Sequence, residues 1–403
     1  MIIIFEKGAI NRYYIRFEME TTGDDVVIAS FNMISVSVIE NMVGNSTYLN
    51  VKFIDEVGVL INKYPVIPDS VFTLTYGVTK EQSITSKFKM ASMKVDNLSG
   101  ADTESLMITM DLIHWEWDKI IKEVHSKSWK DKKLSFVLND IISEIDFDEI
   151  IIEETDTTVD TIQPSWTNAN MLKWISKNSI SDDDIGGYVY YLTLDNKFVF
   201  STLDNLYNKK PVKEIAHATL TKDGVGYNFL NIENNYVPTL LANGFGTKYT
   251  YFDYNTKQYV TGDKILTDIN ERQLSDWYYM AESHMTPSKH YYGGRNINTT
   301  DIIENNMLVN ANSVQKINLY VDGDIEVHIG DLINLKIPIA KRIQQDGEII
   351  NDTYSGYWLV WKIAHLFSFG DDNYQSHLFL TRNGINGKEI TGLVKTNKGK
   401  ELV

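Results

Sequence analysis

The sequence predicts a mainly β protein with a small α+β insertion, arranged as two tube-like β-barrels with inserted segments. Three observations lead there. Short alternating runs of β-branched and aromatic residues fill the first and last thirds of the chain, residues 118–205 switch to helical spacing, and one layout of turns and strands occurs twice. At 403 residues the chain exceeds what one compact core usually accommodates.

Residues 1–117 read as the first barrel. Its strand candidates are Asp25–Val38, Thr47–Ile54, Ser70–Tyr76, Thr85–Met93 and Glu104–Ile113, with Pro65 and Pro68 marking turns or edges. The opening Met-Ile-Ile-Ile-Phe run lacks the basic flank, long apolar core and cleavage site of an export signal, so a strand or docking arm is expected there. Nothing approaches the roughly 18 apolar residues of a membrane span. Residues 118–205 read as an α+β middle domain. Leu134, Val137, Leu138, Ile141, Ile142 and Ile145 fall on one helical face, and a second helix starts near Thr167 or Asn168 with Met171, Leu172, Trp174 and Ile175 inward. The runs Tyr188–Thr193 and Phe198–Phe200, joined by Leu194-Asp195-Asn196-Lys197, predict a hairpin. Trp166 and Trp174 are expected to anchor this domain's core. Residues 206–244 and 306–385 read as the second barrel, 245–305 as a Tyr-rich insertion, and 386–403 as a flexible tail.

The repeated layout carries a geometric consequence. In the first copy Tyr64–Leu74 supplies a turn and strand, followed by Ser86–Val95 and Glu104–Ile113; in the second, Asp324–Leu335 is followed by Tyr357–Phe367 and Tyr374–Thr381. Literal identity between the copies is low, so coincidence among generic hairpins is the alternative to a duplicated barrel. Two similar barrels per chain would give a three-chain ring six similar units, able to mate with a sixfold tube on one side and a threefold object on the other.

Composition excludes several classes of chemistry. The absence of cysteine rules out disulfides and thiolate sites. With 54 acidic and 38 basic residues the net charge is −16, which disfavours a nucleic-acid reader yet suits a channel that DNA crosses without sticking. The lysines of Lys119–Lys133 are interrupted by acids and read as solvated surface. No His-Glu-x-x-His, phosphate-binding glycine loop or Gly-x-Ser-x-Gly motif occurs. His284 and His290 lie on no clear element, whereas His365 and His377 fall in strands expected to pair and to face each other. The carboxylates Glu144, Asp146, Asp148, Glu149 and Asp182–Asp184 read as solvated turns rather than an acid pair. No catalytic, cofactor or metal residue emerges. The candidates are instead structural or interface aromatics: Trp166, Trp174, Trp358, Trp361, and the cluster Trp277, Tyr278, Tyr279 and Tyr291. That cluster reads as subunit contact, core or a sugar platform.

Three stretches together resemble the baseplate hub family of contractile-tailed phages, related to the base of type VI secretion spike proteins. They are Asn50–Leu60; Ser165–Ile175 with Gly187–Tyr191 and Lys197–Ser201; and Gly330–Ile333 with Gly356–His365 and Tyr374–Arg382. The resemblance covers most of the chain in order, and the Tyr-rich region matches none of it. It implies a non-enzymatic homotrimer with a central channel for DNA, located in the tail baseplate of a virion assembled in the host cytoplasm. It implies the tail tube protein above, the central spike protein below, and other baseplate proteins and the tape measure protein as further partners. A receptor- or glycan-binding tail protein using residues 277–292, and a cell-wall hydrolase using an acidic pair, are the competing readings.

Overall fold

The computed structural model describes residues 2–7, 13–20, 26–28, 32–42, 47–56, 58, 60, 66–67, 70–97, 105–156, 158–181, 187–217, 225–242, 244, 246–253, 257–265, 284–285, 299–338, 354–371 and 373–382. The first part contains β1 (Ile2–Lys7), β2 (Tyr14–Glu20), β3 (Val26–Ile28), β4 (Asn32–Asn41), β5 (Tyr48–Asp55), β6 (Val71–Gly77), β7 (Ser83–Asn97) and β8 (Leu106–His114). The middle contains α1 (Trp115–Lys122), β9 (Val124–Lys133), α2 (Leu134–Ile142), β10 (Glu149–Ile152), β11 (Thr158–Thr167), α3 (Asn168–Asn178), β12 (Tyr188–Leu192), β13 (Lys197–Thr202) and α4 (Leu203–Tyr207). The last part contains β14 (Lys213–His217), β15 (Val225–Asn234), α5 (Tyr236–Leu241), β16 (Gly246–Asp253), β17 (Gln258–Ile265), β18 (His284–Met285), α6 (Thr299–Ala311), β19 (Gln315–Asp322), β20 (Leu332–Lys336), β21 (Gly356–Ser368) and β22 (Asn373–Arg382).

The fold is mainly β, as the sequence predicts. Six strands close a barrel in the order β14-β15-β19-β22-β21-β20, with β20 returning to β14. Its interior holds Ile215, Ile317, Leu319, Leu332, Leu335, Trp358, Ile363, Leu378 and Leu380, the inward members of alternating strands. The first part wraps β4-β5-β8-β7-β6-β2 around a second core of Phe17, Val38, Leu49, Val51, Phe53, Phe72, Leu74, Phe88 and Met110.

The two sets have the same winding. Numbered along the chain, the six strands of each lie in the spatial order second, third, sixth, fifth, fourth, first. Even the irregularities coincide. The second strand carries a bulge in both sets, between Met33 and Ser35 and between Tyr227 and Phe229. The fifth does too, between Met90 and Ser92 and between Val360 and Lys362. The layout repeated in the sequence is therefore a repeated topology. The copies differ at one seam: β14 runs parallel to β20 and β15 and closes its barrel, whereas β2 runs antiparallel to β6. Among the described residues β2 has no pairing with β4. Aromatics fill that seam, with Tyr13 against Phe367, Phe369 and Tyr374.

One strand joins the two sets. The first half of β21 pairs with β20, and Lys362–Ser368 pairs antiparallel with β4. Trp358 and Leu359 thus lie in the core of the closed barrel, while Phe367 and the partner-strand Tyr374 lie in the core of the first part.

The middle part is α+β. Thr167 caps α3 by accepting from the Asn170 amide, and Leu134, Val137, Leu138, Ile141, Met171, Leu172 and Ile175 pack as one core over β10, β13 and β12. Its β12–β13 turn leaves this core: Leu194 is fully buried in the core of the first barrel.

Several local expectations need correction. Asp25–Val38 is two strands, β3 and β4, that lie far apart in the sheet. Of Asp324–Leu335 only the end is strand, because Asp324 and Asp331 turn their carboxylates onto the nearby amides of Glu326 and His328, and Gly330 sits at φ +82°. Lys119–Lys133 is mostly solvated, as expected, yet it is structured. It holds the end of α1 and the ribbon strand β9, with Lys119 and Lys122 paired to the buried Glu116 and Asp118. His365 and His377 do not face each other. Their partners in the hairpin are Ser376 and Ala364, a one-residue offset that sends the rings to opposite faces of the sheet.

Since Leu194 fills the core of a barrel to which it does not belong, Leu194→Ala is expected to destabilise the protein by about 2–5 kcal/mol. Chemical denaturation measures this, and a midpoint equal to the wild type contradicts the packing.

Candidate functional site

The three parts meet at one buried carboxylate. Glu40, on β4, is fully buried. One oxygen accepts from the Leu194 amide of the β12–β13 turn at 2.6 Å, and the other from the Ile329 amide of the turn before β20 at 3.2 Å. Each part of the chain thus supplies one member. The first barrel also grips the turn from two further sides: Ser86 Oγ donates to the Leu194 carbonyl at 2.5 Å, and Thr47 Oγ1 to the Leu192 carbonyl at 2.9 Å. On the opposite side the Tyr191 hydroxyl occupies the space where a Cβ on Gly330 would project, so only glycine fits there.

His328 completes the junction. Its Nδ1 lies 3.5 Å from Glu40, an ion-pair distance rather than a directed hydrogen bond. Burial alone would depress the imidazole. Glu40, with Asp195 and Asp331 adding negative field, outweighs that and holds it at about 9. Burial pushes the Asp331 carboxyl above its usual value despite His328. Both Glu40 oxygens are thus engaged by main-chain amides. This is the arrangement of a structural staple, and it offers no nucleophile.

A second feature is the outward face of the joined sheet. Alternation along β22 and β19 lines up Tyr320, His377 and Phe379, with Tyr320 and His377 stacked at 4.0 Å and Lys362 Nζ 4.8 Å from the Phe379 ring. A third is the end of β7: beyond Lys89 it pairs only with β8, leaving its other edge without a strand among the described residues.

The aromatics singled out from the sequence are dispersed. Trp174 is buried in the middle core and Trp166 half-buried against it. Trp358 is fully buried in the second barrel, donating Nε1–H to the Tyr354 carbonyl at 3.0 Å beneath the Arg382 guanidinium. Trp361 is the extra residue of the β21 bulge, half-buried, and its carbonyl accepts from Met42. Trp277, Tyr278, Tyr279 and Tyr291 lie outside the described residues, as do His290, Asp182–Asp184 and the segment 386–403. Glu144 pairs with Lys127 and Glu149 with Lys197, so these acids do not converge. In the sequence Glu40 and His328 carry no functional reading, and Leu194 figures there only as a turn residue. Their one signal is that Glu40 occupies an inward position of an otherwise apolar alternation, Val36-x-Val38-x-Glu40.

The comparisons fit this architecture. The fold matches the tail protein from Neisseria meningitidis MC58 with a TM-score of 0.60 at 10% identity, covering 94% of this chain and 98% of that one. It matches the 43 kDa tail protein of prophage MuSo2 from Shewanella oneidensis with a TM-score of 0.55 at 11% identity, covering 92% and 98%. No family model and no curated protein sequence matches the chain. At such identities the likeness is one of fold, and it covers more than nine-tenths of this chain.

The histidines set the pH range of stability. His328 titrates near 9 in the folded protein against about 6.5 unfolded, so its contribution is complete below about 6.5 and lost as the pH rises through 9. Burial lowers His114 and His365 to about 4, so the folded state loses stability as the pH falls from about 6.5 to 4. A thermal-denaturation profile is expected to fall on both sides. Glu40→Gln should lower the melting temperature at pH 6 and flatten the alkaline limb; an unchanged alkaline limb would contradict the assignment.

Proposed function

We propose that this protein is the structural hub of a phage-type tail baseplate: a homotrimeric ring that adapts the sixfold tail tube to a threefold central spike. The observation that carries the reading is the repeated six-strand winding, fused through β21 into one continuous sheet. Three chains would supply six such units, and closed rings are the usual form of homo-oligomers. The likeness in fold to two tail proteins, over more than nine-tenths of this chain, supports the same role. The free edge of β7 and the row Tyr320–His377–Phe379 are the surfaces we assign to neighbours, since an open strand edge is a template for pairing.

The middle part would lie outside the ring, and genomic DNA would pass through the channel without specific binding, as the net charge of −16 favours. Tail tube, spike, tape measure and other baseplate proteins are the partners proposed. The role requires no catalysis.

Light scattering on the purified protein is the test, with single-particle images of the same sample. Particles of three chain masses with a central hole are expected. A monomer at every concentration that also binds neither a tube nor a spike protein would contradict the reading and favour a receptor-binding tail protein.

A further inference from the structure

A cavity of about 380 Å³ opens where α1, α3 and β12 of the middle part meet α6. Its apolar lining includes Trp117 and Tyr190, stacked with their rings 6.3 Å apart, together with Met42 and Val309. The cavity is held open by a clamp that forms part of its own lining: Asn305 of α6 accepts from the Gly187 amide at 2.5 Å and donates to the carbonyls of Lys177 and Ser179. The wall on the α6 side is therefore pinned to the wall on the α3 side, and the space between them is built into the fold.

Two further features indicate what would fill it. In a chain with 54 acidic residues, no Asp or Glu is among the described lining residues. The rim instead presents Asn170 and Lys173, one turn apart on the exposed side of α3. Lys173 forms no ion pair with any described residue, in a protein where most neighbouring lysines are paired. At the mouth the apolar side chain of Ile121 is 37% exposed.

We infer that this cavity is a docking site for an acidic segment of a partner protein, which inserts an aromatic side chain against Trp117 and Tyr190 and sets a flanking carboxylate on Lys173. The volume of about 380 Å³, at the low end of the range for ligand pockets, suits one or two large side chains. An occupant that extends beyond the cavity, as a peptide does, would also cover the exposed part of Ile121. Aromatic anchors in such pockets carry most of the energy of an interface, and the rim charge selects among partners. The inference does not depend on the hub reading.

The test uses fluorescence anisotropy in about 0.15 M salt, where long-range repulsion by the acidic surface is screened. The probe is a fluorescein-labelled peptide with one tryptophan flanked on each side by two glutamates. Its controls replace the tryptophan with serine or the glutamates with lysines. The acidic aromatic peptide is expected to bind, roughly tenfold more tightly than either control, and to lose roughly tenfold with Lys173→Glu. Val309→Trp, which fills the cavity, should abolish binding. Lys173→Glu alters an exposed, unpaired side chain and keeps the test valid if the tryptophan variant fails to fold. No binding of the acidic peptide, equal binding of all three peptides, or undiminished binding to Lys173→Glu would overturn the inference.

Discussion

The architecture turns on one buried carboxylate whose two oxygens are taken by main-chain amides from two other parts of the chain. Removing Glu40 from water costs several kcal/mol before any interaction is counted. The amides of Leu194 and Ile329 and the imidazolium of His328 offset that cost only if all three arrive together. A misplaced turn would strand a charge in the interior. Glu40 therefore acts as a registry device, favouring the one arrangement in which the first barrel, the middle hairpin and the second barrel are all correctly seated. Leu194 adds an apolar component to the same contact by filling the first core.

That constraint explains how two copies of one winding become one body. The barrels share β21, whose bulge at Trp361 shifts the register between the half that serves the second barrel and the half that pairs with β4. A strand junction alone would leave a hinge. The hairpin turn wedged beside it, gripped by Glu40, Ser86 and Thr47, removes that freedom. In the ring proposed above, the angle between the two units would fix whether three chains close.

Much of this was legible in the sequence and the remainder failed for identifiable reasons. Strands with clean alternation, such as Thr47–Ile54 and Tyr374–Thr381, and the helix capped by Thr167, are set by local pattern and were read closely. The repeat was legible as layout because each copy keeps the same order of turns, although its residues differ. Helix α1 was missed because it buries Glu116 and Asp118 beside Trp117 and Ile120, which hides the apolar stripe. The facing of His365 and His377 failed because the one-residue offset set by the connecting turn is not visible in a run of alternating residues. The junction was not legible at all. Glu40 lies 154 residues from Leu194 and 289 from Ile329, and no local rule connects them.

Native-state hydrogen exchange at the Leu194 and Ile329 amides tests the central claim most directly. If the junction binds the three parts into one body, both amides exchange only through global opening, at the same rate as the deepest amides of β5 and β21. Fast exchange at either amide while those strands stay protected would mean the parts open independently, and the account of Glu40 as the common staple would fail.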